Sequence, residues 1–171
     1  HLRKWQQRVR VSTPKERRLA NVLAKMGETC ESLNLSKNVL ETTSMIYRNL
    51  DGHIEVKGKS VACITAATIY MACKQCDVVR SLEEICRGIV PAKDVKSKTK
   101  LAARYYRTMV MEMGAIKAPV LTMDKYISKI ANMTETEVRV ERLALEIAEK
   151  TKDNSISDGK SPNGIAAAYL Y

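Results

Sequence analysis

Histidine is scarce in this chain of 171 residues, with only two copies, His1 and His53. The sequence also contains no glycine-rich phosphate loop and no cluster of His, Cys, Asp and Glu at the spacing of metal ligands. General acid–base catalysis, phosphoryl transfer and metal-assisted hydrolysis each depend on one of these patterns. The residues therefore predict a protein that is not an enzyme.

Long apolar runs are absent too, because no stretch reaches the roughly 18 residues that a membrane-spanning helix requires. No signal peptide is visible. The five cysteines are odd in number and fall at helical spacing, which predicts reduced thiols in a soluble, cytoplasmic protein. Cys73 and Cys76 form a CxxC pattern without a second pair, at the end of a helical segment, so a structural role is favoured over zinc or redox chemistry.

Positive charge is abundant, and it is concentrated in the first two thirds of the chain. The net charge is +10; residues 1–117 carry 22 Lys and Arg against 11 Asp and Glu, while residues 118–171 carry 7 against 8. Much of the excess lies in residues 1–18 and 91–107. Such clusters fit an acidic partner, most commonly nucleic acid, although a solvated helix face gives the same pattern.

Apolar residues at spacings of three and four predict five helices before residue 118. Thr13-Pro14-Lys15-Glu16 and Ser81-Leu82-Glu83-Glu84 are capping boxes that start the first and fourth helices. The third is apolar almost all round, so other helices must enclose it. Asp51-Gly52 is expected to end the second helix. The predicted segments begin at Pro14 and then cover about 36–50, 60–76, 81–88 and 96–113.

A similar order of predicted helices begins again after residue 117. A helix is predicted around residues 126–133, a second from a capping box at Thr134–Glu137, and a third from Ser161-Pro162. Residues 58–70 recur as residues 159–171 with seven of 13 positions identical, and Asn34-Leu35-Ser36 resembles Asn132-Met133-Thr134. We therefore expect a basic linker (1–13), a first repeat (14–117) and an incomplete second repeat (118–171), all of them α-helical.

A duplicated five-helix unit whose apolar central helix opens with Gly-Lys-Ser resembles the cyclin fold. The linker LRKWQQRVRVS, the following ERRLA, the GKS…AATIYMACK helix and Arg104-Tyr105-Tyr106-Arg107 resemble archaeal transcription initiation factor B, the counterpart of eukaryotic factor IIB. The resemblance implies one complete cyclin-like repeat, with the last helices of the second repeat missing. It also implies zinc only in an N-terminal ribbon that this sequence does not contain, so no cofactor is expected here.

The resemblance further implies a non-enzymatic, nucleoid-associated core that binds the TATA-binding protein and promoter double-stranded DNA around the TATA element. It would help to recruit RNA polymerase, and no membrane is involved. Trp5 is either an anchor on a partner or a local packing residue. The implied DNA contacts are Lys59, Ser60, Lys98, Lys100, Arg104, Lys160 and Ser161, and the implied contacts with the TATA-binding protein are Lys74, Lys96 and Lys98.

Elementary chemistry supports some of these sites and leaves alternatives open. A lysine beside a helix N-terminus, as at Lys59-Ser60, suits a phosphate, but Ser60 could simply cap the helix with Lys59 in solvent. Lys74 at a helix C-terminus is equally explained by the helix dipole. Lys98, Lys100 and Arg104 are expected on the exposed face of the fifth helix, opposite a row of Leu101, Tyr105 and Met109. The alternative function is a cyclin-type scaffold that binds a regulated partner without contacting DNA.

Overall fold

The structure of the chain, a computed structural model, describes residues 13–53, 58–112, 121–152 and 159–171. These residues form eight α-helices and one 3-10 turn and contain no strand. The predicted linker up to residue 12, with Trp5, lies outside the described residues. The helices are α1 (Pro14–Ser32), α2 (Lys37–His53), α3 (Val61–Gln75), α4 (Leu82–Arg87), α5 (Val95–Glu112), α6 (Met123–Met133), α7 (Val138–Lys150) and α8 (Pro162–Leu170), with the 3-10 turn at Ala92–Asp94.

The helices belong to two compact units that divide the chain after residue 118. Helices α1–α5 form the first unit, and α6–α8 form the second. In the first unit α3 is central: ten of its 15 residues are buried, and α1, α2, α4 and α5 all pack against it. This confirms that an apolar helix without a polar face becomes enclosed. Even α3 is too short to cross a membrane, and no other described helix is long and apolar enough to do so.

Two of the predicted helix starts are confirmed by reciprocal hydrogen bonds. The Thr13 hydroxyl accepts from the N–H of Glu16 at 3.2 Å, and the Glu16 carboxylate accepts from the N–H of Thr13 at 2.9 Å. Ser81 and Glu84 make the same pair of bonds at 3.1 and 2.8 Å. Each box satisfies two backbone donors that a helix start would otherwise leave unpaired. Local sequence therefore fixes where α1 and α4 begin.

The predicted end of α2 at Asp51-Gly52 is wrong, because the helix continues to His53. Glycine ends a helix most readily by taking a left-handed conformation. Gly58 takes it, with φ of 81°, whereas Gly52 lies within the helix. Inside a helix a glycine costs about 1 kcal/mol relative to alanine, which the packing of α2 against α3 can offset.

The predicted capping box at Thr134–Glu137 is also wrong. Thr134 follows the last residue of α6, and Glu137 precedes α7 without a side-chain capping bond. The Thr134 hydroxyl is instead bonded to the Ile130 carbonyl at 2.9 Å and to the Thr136 hydroxyl at 2.6 Å. The threonine therefore completes the helix before it rather than starting the helix after it.

Backbone geometry sets the register of the internal repeat. Asn34 and Glu135 both have left-handed φ, 49° and 51°, and so do Gly58 and Gly159, 81° and 76°. Both pairs are 101 residues apart, the offset of the Gly-Lys-Ser match, so α1–α3 correspond to α6–α8. The predicted pairing of residues 34–36 with 132–134, at an offset of 98, is therefore wrong by three residues.

The corresponding helices α3 and α8 differ in how much of their surface is covered. Ala66 and Ala67 are at most 1% exposed, within the core that α3 shares with α4 and α5. Their counterparts Ala167 and Ala168 are exposed. Among the described helices of the second unit, only α6 and α7 pack on α8. An apolar helix therefore stays partly open in this unit.

Candidate nucleic-acid interface

The turn that leads into α3 carries the first predicted phosphate contacts, Lys59 and Ser60. Left-handed Gly58 opens the turn, and Ser60 is the N-cap of α3 without a side-chain capping bond. Lys59 is half-buried, and its ammonium lies 5.9 Å from the ring centre of Tyr105 on α5. The alternative of a Ser60 side-chain cap with Lys59 in solvent does not hold, since Lys59 is half-buried and Ser60 does not cap through its hydroxyl. The Ser60 hydroxyl and the first N–H groups of α3 can serve an anionic group.

The corresponding turn of the second unit has the same backbone but a different side-chain arrangement. Gly159 is again left-handed, yet Lys160 is exposed. The Ser161 hydroxyl accepts from the N–H of Gly164 at 3.2 Å and thus caps α8. The two Gly-Lys-Ser turns, which the sequence treats as equivalent, therefore present different donors.

One face of α5 carries a row of cations. Lys96, Lys100 and Arg104 follow one another at intervals of four residues, and Arg107 continues the row three residues later; all four are exposed. Residues four apart in an α-helix lie on the same face, about 6 Å apart along the axis. No carboxylate among the described residues forms an ion pair with any of the four. This row, residues 96, 100, 104 and 107, is called the α5 basic row below.

Lys98 does not belong to that row, which corrects the expected grouping with Lys100 and Arg104. Two residues along a helix correspond to a rotation of about 200°, so Lys98 lies on nearly the opposite side of α5 from Lys96 and Lys100. It is half-buried, and its carbonyl accepts a weak hydrogen bond from the Cys63 thiol of α3 at 3.8 Å. Lys98 thus lies where α5 packs on α3.

Lys74, in the last turn of α3, is held between two tyrosines. Its ammonium lies 5.2 Å from the ring centre of Tyr70 and 5.5 Å from that of Tyr106, and the two rings meet edge to face at 5.0 Å. Burial lowers the pKa of Lys74, but the two tyrosine hydroxyls raise it by more, so the net shift is upward. The lysine therefore links α3 to α5, a role beyond the helix dipole that the sequence suggested.

The five cysteines, which the sequence predicts to be reduced, are all free in the structure. Burial raises the pKa of Cys73 to about 12, and Cys76 is half-buried with its sulfur 3.5 Å from the Thr42 hydroxyl. A thiol with a raised pKa is a poor nucleophile and a poor metal ligand. Within the described ranges no three His, Cys, Asp or Glu residues come together as a metal site.

Sequence reasoning missed two residues of this surface, Arg18 and Arg107. The guanidinium of Arg18, on α1, donates a hydrogen bond to the Lys59 carbonyl at 2.7 Å. Val22, four residues after Arg18, is buried, and residues four apart lie on the same face of a helix. The spacing of Arg18 to this apolar residue could therefore have placed it on the inward face of α1. Arg107 could have been found from its spacing to Arg104.

Comparison with known proteins identifies the family. The model of the transcription factor TFIIB repeat matches residues 15–105 and again 116–171. The chain belongs to the TFIIB repeat family. Transcription initiation factor IIB of Methanosphaerula palustris is 34% identical over 170 residues, that of Archaeoglobus fulgidus 35% over 170, and that of Saccharolobus shibatae 34% over 169. Each match covers 99% of this chain and 49%, 50% and 53% of the relative, respectively.

The family match confirms both the resemblance to the archaeal factors and the fold class that it implied. The repeat has a cyclin-like fold, and the two matched segments correspond to two all-helical repeats. The chain spans about half the length of the curated relatives it matches.

Proposed function

We propose that this chain is the core of a general transcription initiation factor, which binds the complex of TATA-binding protein and promoter DNA and helps to recruit RNA polymerase. The observation that carries the proposal is the match of both repeats to the TFIIB family over nearly the whole chain. Such a core works by binding and positioning rather than by catalysis, and it acts on DNA in the nucleoid.

The α5 basic row supplies the cations that this function requires. DNA presents one phosphate per 3.4 Å of each strand, and each phosphate that a protein neutralises releases counterions. Lys100 and Arg104 are exposed, unpaired within the described residues and fixed on a rigid helix, so they are the best-placed phosphate contacts. Lys96, at the start of α5, is assigned to carboxylates of the TATA-binding protein.

The two Gly-Lys-Ser turns supply further phosphate contacts, Lys59 with Ser60 and Lys160 with Ser161. Backbone N–H groups at a helix start favour an anion, and a neighbouring lysine adds charge. Lys98 lies on another side of α5 from the basic row and is a separate candidate contact. Lys74 is assigned to the TATA-binding protein as well as to the tyrosine pair, because the residue is only half-buried and an ammonium has three N–H donors.

A mobility-shift experiment tests the function. The chain alone should bind a TATA-containing duplex weakly and lose binding as salt rises, because phosphate contacts without base contacts give weak, salt-sensitive affinity. With TATA-binding protein already on the duplex, the chain should add a clear supershift. Absence of a supershift would favour the cyclin-type scaffold, which needs no DNA. Tight binding to naked duplex at about 0.5 M salt would contradict the electrostatic basis.

A further inference from the structure

The Lys59 carbonyl has an unusual partner. It belongs to a turn rather than to a helix, and it accepts a hydrogen bond at 2.7 Å from the guanidinium of Arg18, 41 residues earlier in the chain. Arg18 is half-buried on α1, and its Nε atom is buried without a partner in the described part of the chain. Burying part of a guanidinium destabilises the folded state unless its N–H groups donate hydrogen bonds. Within the described residues, the guanidinium hydrogen bond of this arginine is the one to the Lys59 carbonyl.

We propose that Arg18 is a positioning residue, which holds the Gly58–Ser60 turn in the geometry that places Lys59 and Ser60 against a DNA phosphate. This inference rests on the proposed function. Arg18 itself faces the protein, since the nitrogen that is hydrogen-bonded points at the Lys59 backbone.

The turn is fixed at three points. Arg18 holds the carbonyl of Lys59, the Tyr105 ring holds its ammonium at 5.9 Å, and the first backbone bond of α3 runs from Ile64 N–H to the Ser60 carbonyl at 3.0 Å. A lysine side chain loses conformational freedom when it binds a phosphate, and part of that loss has already occurred here. Preorganisation of this kind increases affinity without adding a contact.

The second Gly-Lys-Ser turn has no such bond within the described residues, because none of their side chains is hydrogen-bonded to the Lys160 carbonyl. In the sequence, the residue 101 positions after Arg18 is Pro119, whose side chain carries no N–H donor. Lys160 is exposed, and the Ser161 hydroxyl is used as a cap. Removal of the Arg18 guanidinium should therefore affect only the first turn.

The matched variants are Arg18→Met and Arg17→Met. Methionine keeps an unbranched apolar stem, so Arg18→Met removes the donors and the charge while retaining most of the packing. Arg17 is the exposed neighbour on the same helix, and its replacement removes the same charge without the Lys59 contact. Any effect of charge alone should appear in both variants.

The first measurement does not involve DNA. Amide hydrogen exchange of Ile64 reports opening of the first turn of α3, because its N–H is bonded to the Ser60 carbonyl. Arg18→Met should speed this exchange about tenfold, the effect expected from losing a charge-assisted hydrogen bond. Arg17→Met should not change it. Unchanged exchange in Arg18→Met would show that the arginine does not hold the turn.

The second measurement is assembly on TATA-binding protein and duplex DNA, with Lys59→Ala included. Arg18→Met should weaken assembly about 3- to 10-fold in the parent chain and have little further effect in the Lys59→Ala background. An undiminished effect in that background, with a salt slope lower by about one, would mean that Arg18 contacts a phosphate itself. That result would overturn the positioning role.

The outcomes separate this inference from the proposed function. If Lys59→Ala weakens assembly and Arg18→Met does not, the positioning role fails and the proposed function stands. If Lys59→Ala, Lys100→Ala and Arg104→Ala all leave assembly unchanged, the proposed DNA surface fails and the positioning role fails with it. If Arg18→Met does not fold, Arg18→Leu, which also lacks an N–H donor and favours helix, replaces it in both measurements. The same changes are expected, and no change would refute the positioning role.

Discussion

Replacement of Lys100 and Arg104 by alanine should weaken assembly on promoter DNA without harming the fold. Both side chains are exposed on the α5 basic row, and neither forms an ion pair with a described carboxylate. The inward side of α5, with buried Ala102 and Met109, is untouched by the change. Stability and binding should therefore respond in opposite directions.

The effect on stability follows from repulsion along the row. Lys96, Lys100 and Arg104 form two successive i,i+4 pairs of like charge. Each such pair destabilises a helix by about 0.2–0.5 kcal/mol, so removing both should raise the free energy of unfolding by about 0.4–1 kcal/mol. For a unit of this size that corresponds to a Tm higher by a few degrees, roughly 1–6 °C.

The effect on binding follows from counterion release. Each lost phosphate contact should lower the slope of log affinity against log salt by about 0.9, so the double variant should lower it by about 1.8. Between 50 and 200 mM salt, one contact of this kind changes affinity roughly 3.5-fold. The double variant should consequently bind more weakly at low salt and approach the parent chain as salt rises.

The assay is a salt titration of the supershift on DNA-bound TATA-binding protein, with thermal unfolding of the same samples. Arg17→Ala combined with Arg48→Ala, which removes two exposed cations from α1 and α2, serves as the control for net charge. A double variant with unchanged affinity and unchanged salt slope would show that the α5 basic row is not the nucleic-acid surface. A large fall in Tm would show instead that the row stabilises the fold.

Two other predictions concern stability and thiol chemistry. Amides of α6–α8 should exchange faster than those of α3, because part of α8 is uncovered in the described second unit; equal protection in a dilute monomer would contradict this. Of the five thiols, only half-buried Cys76 should react rapidly with a thiol reagent near pH 8 in the native protein. The other four thiols are buried, and burial raises the pKa of Cys30 and Cys86 and raises that of Cys73 to about 12. A second fast-reacting thiol would refute the reasoning.

The sequence alone determined the helices whose signals are local. Thr13 with Glu16 and Ser81 with Glu84 cap α1 and α4 as predicted, because both partners of each bond lie three residues apart. The failure at Thr134 shows the limit of that reasoning. A threonine can bond backwards to the preceding turn as well as forwards, and sequence spacing does not distinguish the two.

Tertiary structure decided how the candidate site is arranged, because its contacts join residues that are far apart in the chain. Arg18 bonds to the Lys59 carbonyl across 41 residues, and Lys59 lies over Tyr105 of another helix. The same string, Gly-Lys-Ser, folds into a turn without a side-chain cap before α3 and into a capped turn before α8. The three shared residues supply the same chemical groups in both places, while the residues around each turn, near and far in the chain, determine which groups remain available for a partner. A Cβ at Gly164 would lie 3.0 Å from the Ser161 Oγ, so glycine leaves room for that cap, whereas Cys63 stands at the corresponding position of the first turn.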